Sequence, residues 1–296
     1  MLPSLTRRAF TRAASAICAG AVWSRSIKAF EQTPAQKLKL KLAVKFGMIG
    51  GPGSVEDKFK RIKELGFEGV EMDSPSGVNV QEACKARDKT GIQIHGVVDS
   101  VHWRDTLSHP DEAVRKKGLD ALLGAIQDCK AYGGSTVLLV PGVVNKDATY
   151  EQCFERSAIE VKKAIPAAKE AGVKIAIETV WNNFITKPEQ MNAYVDQFKD
   201  DTVGAYFDIS NMIKFGVAPA DWIRLLGKRL LKFDFKGYSK TNQWCEIGQG
   251  DEDWPAVLKA LVEVGYKGEF ATSEVRGGDE KRLKEIAVQM KQVLGM

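Results

Sequence analysis

Four carboxylates recur at the ends of short apolar runs: Glu178 in AIETVWNNF, Asp208 in AYFDISN, Asp234 in KFDFKGY and Glu274 in FATSEVRGG. A lone acid at the end of such a run is ordinarily a helix cap or a surface charge. Four of them, each after a run of strand type and separated by stretches of helical character, imply more. In a (β/α)8 barrel all strands point one way, so residues at their C-terminal ends meet over a single mouth. Acids gathered there repel one another unless a cation sits between them. Carboxylate oxygens are hard donors suited to Mg, Mn or Ca. The expectation is one divalent metal ion, Mn2+ or Mg2+ foremost, held by Glu178, Asp208, Asp234 and Glu274, with two of these carboxylates free to double as acid and base.

Other side chains near these acids have two readings each. His102 and Trp103 follow the third strand-like run in VVDSVHWRD. They could offer a polar group and an aromatic platform to a sugar, since loops after barrel strands build the site, or they could merely pack a loop. Trp181 and Asn182, with Asn183, directly follow Glu178 and suit stacking and hydroxyl contacts, or loop packing. Asn211 stands three residues past Asp208, where it could orient a ligand or simply make a turn. Lys236 lies two beyond Asp234, on the same strand face, and could bind an anionic oxygen or neutralise an acid; Arg276, two after Glu274, has the same two readings. His95 falls inside a strand and is expected to pack in the barrel. His109, beside Pro110, reads as surface.

The elements that must position these residues alternate regularly. Strand-like runs begin at Leu42, Gly69, Ile92, Thr136, Lys174, Val203, Leu230 and Glu269. Most lack strict apolar/polar alternation, as expected of strands buried on both faces. Helical patterns lie between them. VEDKFKRIKELGF ends at Gly66, a stop signal, and PDEAVRKKGLDALLGAIQDCKAYGG opens on a proline and acids and closes in glycines. Further helical patterns are YEQCFERSAIEVKKAIPAAKEAG, PEQMNAYVDQF, DWPAVLKALVEVG and EKRLKEIAVQMKQVL. Eight strands with about as many helices favour a closed α/β barrel, a single (β/α)8 TIM barrel over 36–296, and 296 residues suit one such barrel plus a leader. GGPGS after the first strand lacks the Gly-Lys-Ser/Thr of a phosphate loop.

Residues 1–35 read as that leader. Thr6-Arg7-Arg8-Ala9-Phe10 resembles the Ser/Thr-Arg-Arg-x-Phe pattern of a twin-arginine signal, and the apolar run from Ala13 to Trp23 is too short to span a bilayer, which needs about 20 apolar residues. The alternative is a basic amphipathic helix. Export through the twin-arginine machinery to the periplasm or medium, with no stable membrane anchor, is the expectation. The net charge of +5 is largely the leader's, from Arg7, Arg8, Arg12, Arg25 and Lys28, so the basic footprint of a nucleic-acid binder is absent. Cys18 lies in the leader. Cys84, Cys129, Cys153 and Cys245 show no zinc-like spacing and are expected to be simple thiols rather than a disulfide framework.

From about Ala43 to Leu294 the chain resembles the sugar phosphate isomerase/epimerase superfamily, the xylose isomerase-like TIM barrels, through the order Glu178, Asp208, Asp234, Glu274 and the phrase Phe233-Asp234-Phe235-Lys236-Gly237. The resemblance implies one divalent metal and a pair of glutamates, here Glu178 and Glu274, that shuttle a proton at the carbon beside a carbonyl. It departs from the family at Asp234, where a histidine is usual, while Lys236 keeps the family's lysine. FDFKGYS and VHW are similar to an exported subgroup whose relatives act on 3-keto sugars by β-elimination. The same barrel serves endonuclease IV, whose histidine-rich zinc site a chain with 3 histidines does not supply. A sugar isomerase or epimerase acting through an enediolate on an unphosphorylated sugar is the leading expectation. Alternatives are a 3-keto-glycoside lyase or hydratase and a non-catalytic sugar-binding barrel. The paired glutamates speak against the last. The partner expected is a small sugar or glycoside.

Overall fold

A computed structural model describes residues 34–296 of the chain. The leader assignment and Cys18 lie outside them. A short helix, α1 (Pro34–Leu38), precedes the first strand. Eight parallel strands then close a barrel: β1 (Lys41–Lys45), β2 (Gly69–Ser74), β3 (Gln93–Asp99), β4 (Thr136–Leu139), β5 (Lys174–Glu178), β6 (Val203–Asp208), β7 (Leu230–Phe235) and β10 (Phe270–Ser273). Each stave neighbours the next in the chain, and β10 closes the ring against β1. The (β/α)8 barrel expected from the alternation is the fold.

The eight outer helices are α2 (Val55–Glu64), α3 (Val80–Thr90), α4 (Glu112–Tyr132), α5 (Tyr150–Ala171), α6 (Pro188–Asp196), α7 (Pro219–Leu226), α8 (Trp254–Glu263) and α9 (Glu280–Leu294). Local chemistry sets their ends. Ser54 and Asp57 form a capping box at the start of α2, and Thr149 with Gln152 another at α5. Gly133 and Gly172 terminate α4 and α5 at φ +75° and +69°, a backbone region that disfavours any residue with a Cβ. Val55, Phe59 and Ile62 bury one stripe of α2 on the barrel, and Trp222 on α7 is fully buried, stacked on Phe207 of β6.

One element breaks the alternation. Directly after Lys236 the chain turns into an antiparallel hairpin, β8 (Gly237–Ser239) and β9 (Gln243–Cys245), which joins no stave of the barrel. A side chain at Gly237 would meet the Glu246 carbonyl oxygen at 2.2 Å, so the turn out of β7 requires glycine there. Glu252 fastens the hairpin by accepting from the Tyr238 N–H at 2.9 Å. The four described cysteines are free thiols, Cys129 and Cys153 buried and the others partly so. No described helix is long and apolar enough to cross a membrane.

Candidate metal centre

Glu178, Asp208 and Asp234 end or nearly end β5, β6 and β7, and Glu274 follows β10, so the four acids rise from four consecutive staves. Asp208 and Asp234 sit side by side in the register of β6 and β7, and Thr272 of β10 pairs Asp234 on its other side. One carboxylate oxygen from each acid lies within 4.8 Å of all the others. Asp208 and Asp234 are wholly buried, Glu178 nearly so, and Glu274 stands at the rim.

Two lysines share this acidic pocket. Lys236 bridges Asp208 and Glu274, 2.5 Å from the latter, while Lys45 of β1 lies 2.5 Å from Glu71 and 3.0 Å from Asp234. Tyr206 donates to Glu71 at 3.0 Å, which completes a buried polar layer beneath the acids. The charges remain unbalanced: five acids, counting Glu71, face two ammonium groups. Burial pushes Glu178 well above the usual carboxylate range, and the charges of Glu274 and Asp234 push it further. Burial likewise raises Asp234 and Asp208, against the pull of Lys45 and Lys236 respectively. Burial also opposes ionisation of Glu274, but Lys236 and Lys45 outweigh it and hold that group below its usual value.

These residues fit a divalent cation. Apart from the Lys45 ammonium 3.0 Å from its Oδ2, Asp234 has no side-chain partner among the described residues, and Glu178 is buried beside it, so acceptors stand ready in a space that burial makes costly for bare charge. The donor set is all oxygen, which favours a hard ion. Asp208 is held from behind: its Oδ1 accepts from the backbone N–H groups of Ser210 and Asn211 at 2.9 and 2.8 Å.

The remaining sequence-derived candidates divide. Lys236 is the charge partner of two acids. Asn211 is a brace, its Nδ2 donating to the Thr179 carbonyl. Asn182 is buried, its Nδ2 donating to Gly142 O and its Oδ1 accepting from Phe184 N, so it clamps a loop. Trp181 donates to Asn211 O, and its ring stacks on Trp244. His102 is buried and accepts from Val140 N; burial and then Lys45 bring it down to about 3, so it stays neutral. Its neighbour Trp103 is half-exposed, and Arg276 is exposed at the rim beside Glu274. His95 packs inside the barrel against Phe270, as expected, with Lys232 bonded to it.

Sequence reading missed Lys45, Glu71, Tyr206 and the hairpin residues Tyr238 and Trp244. A signal existed for the first two. A charge inside LAVKFGM or GVEM has nowhere to go in a strand covered on both faces except the barrel interior. A cavity of about 1010 Å3, larger than the one at the acids, lies at the opposite end of the barrel, by His95 and Lys232. Its rim lysines Lys174, Lys228 and Lys267 stand near helix C-termini, where cations offset the helix dipoles. Size alone therefore does not identify the site; the carboxylates do.

Residues 59–292 match the family model for xylose isomerase-like TIM barrels. Among curated proteins, an uncharacterized protein of Methanocaldococcus jannaschii, MJ1311, is 24% identical over 274 residues, covering 85% of this chain and 90% of that one. An inosose isomerase of Bacillus licheniformis is 27% identical over 166 residues, covering 53% and 59%. Among solved structures, the 3-keto-D-glucoside 4-epimerase YcjR of E. coli superposes with a TM-score of 0.74 at 16% identity, over 87% of this chain and all of that one.

Proposed function

The chain belongs to the xylose isomerase-like TIM barrel family, and on that premise we propose that it is a metal-dependent sugar isomerase or epimerase that moves a proton at the carbon beside a carbonyl. The observation that carries this reading is the set of four carboxylates whose ligand atoms all lie within 4.8 Å. Glu178, Asp208, Asp234 and Glu274 would hold the cation, Mn2+ or Mg2+ by donor type, and the bound ion supplies polarisation of the sugar carbonyl. Glu178 and Glu274 stand on staves separated by those of Asp208 and Asp234, so they approach a bound sugar from different sides. One takes the carbon-bound proton, and the electron pair moves onto the carbonyl oxygen to give an enediolate. The other returns a proton, to the same carbon for epimerisation or to its neighbour for isomerisation.

An unphosphorylated substrate fits the charge pattern. Lys45 and Lys236, ammonium groups inside the mouth, are already engaged by carboxylates, which leaves no inner cation cluster for a phosphate among the described residues. A 3-keto glycoside fits the same machinery, with β-elimination following the same proton abstraction when a leaving group is present. Wild-type protein incubated in D2O with free ketoses and 3-keto-glucosides, with Mn2+ and with chelator, tests this. Deuterium should enter at the carbon beside the carbonyl with at least one substrate and fall away with chelator; product analysis separates epimer, isomer and elimination product. Sugar binding with no exchange across the panel would favour the non-catalytic barrel instead.

Export is a further part of the reading and rests on Arg7 and Arg8 in their Thr-Arg-Arg-x-Phe setting. Changing both arginines to lysine should hold the precursor in the cytoplasm on cell fractionation. Unchanged export defeats it.

A further inference from the structure

Two aromatic side chains stand about half-exposed among the described residues, Trp103 at 51% and Trp244 at 47%. Both belong to the acid end of the barrel. Trp103 follows β3 and Trp244 sits on the hairpin after β7, and these staves are four apart in either direction around the ring. The mouth therefore carries an open indole on each of two opposite sides.

The Trp244 side is the more fully built. Trp181 stacks on the Trp244 ring, with centroids 4.9 Å apart and planes 25° from parallel, and Tyr238 meets it edge-on at 5.0 Å. The Lys236 ammonium, which touches Asp208 and Glu274, lies 5.7 Å from the Trp244 ring centre. Lys236, Trp244, Cys245, Glu274, Arg276 and Arg282 line a cavity of about 330 Å3. Its wall is stiff: Arg282 is bonded through both terminal nitrogens to Glu246, at 2.8 and 3.0 Å, and Gln289 donates to the same carboxylate. The Arg276 guanidinium has no partner among the described residues.

An open indole beside one unpaired guanidinium is poorly matched to a phosphate, because the other cations of the wall are already paired. It matches a pyranose, which offers a carbon-bound hydrogen face for stacking and a hydroxyl edge for donors. The volume, at the low end of ligand pockets, suits one ring. We infer that the hairpin 237–245 carries an outer subsite for the second ring of a glycoside, with Trp244 as platform and Arg276 as hydroxyl donor, while the first ring occupies the acid centre. The inference rests on the sugar reading above and names its substrate class: two-ring glycosides in preference to free monosaccharides.

Titration calorimetry of the full-length protein with glucose, cellobiose and maltose tests it, since these unoxidised sugars bind without turnover. At least one disaccharide should bind about 3–10-fold more tightly than glucose. Trp244→Ala should remove most of that advantage, Trp244→Phe should restore much of it, and Arg276→Met, a surface change independent of the aromatic cluster, should reduce it. Equal affinity for glucose and both disaccharides overturns the subsite, as does an advantage that survives both Trp244→Ala and Arg276→Met. The two readings fail separately. Deuterium exchange without a disaccharide preference leaves the reaction and removes the subsite, whereas a preference without exchange on any keto sugar leaves the subsite and removes the reaction.

Discussion

Glu178→Gln and Glu274→Gln are each expected to slow exchange of the carbon-bound proton by about 10²–10⁴-fold, the usual worth of a positioned general base. Glutamine keeps the size of the side chain and one oxygen for a cation, but it cannot accept a proton at neutral pH. The two variants should differ in stability. Glu178 is buried and faces Glu274 and Asp234, so its charge opposes folding. A neutral amide there should leave the metal-free protein at least as stable as wild type. Glu274 is paired with Lys236 at the rim, so its loss should weaken the fold modestly. Slow exchange in a Glu178→Gln protein with undiminished Tm would separate a chemical role from a structural one. A Glu274→Gln protein that binds metal and exchanges at the wild-type rate would remove Glu274 from the mechanism.

The barrel was legible because its strands are covered on both faces: KIAIE and VGAYFD are continuous apolar runs bounded by helical patterns, and the structure places strands at Lys174–Glu178 and Val203–Asp208. The acid cluster was legible for the same reason, since an acid ending such a run can only stand at the mouth. The hairpin was not. GYSKTNQWC carries no glycine at its turn, Gln243 takes the positive φ of 61° instead, and its three-residue strands are too short for a periodicity to show. Lys45 escaped because its meaning is tertiary. Nothing local to β1 announces Glu71 on β2 and Asp234 on β7, which its ammonium joins only once the ring closes. Asn182 kept two readings in the sequence because an amide that contacts a ligand and one that closes a loop look alike until their partners are seen.

Lys236→Met is expected to destabilise the metal-free protein by about 3 kcal/mol, the scale for stranding one member of a buried ion pair. Asp208 is the reason. Its side chain is fully buried, and its Oδ1 keeps the two backbone N–H groups, but its Oδ2 has Lys236 as its cation. Lys236 itself is only 19% exposed, so solvent screens the pair little. For a barrel of this size the loss should lower Tm by roughly 6–12 °C. A divalent ion should then act more strongly on the variant than on wild type, because it supplies the positive charge that the lysine no longer brings. At about 100 times its dissociation constant, Mn2+ contributes about 2.7 kcal/mol to any protein that binds it only when folded, enough to recover most of the deficit. Thermal unfolding of both proteins in chelator and in Mn2+ reads this directly. Equal Tm values in chelator would show that the lysine is not the counter-charge of Asp208. A variant destabilised in chelator and unmoved by Mn2+ would show that the four carboxylates do not take the ion, and the metal-dependent reading would go with it.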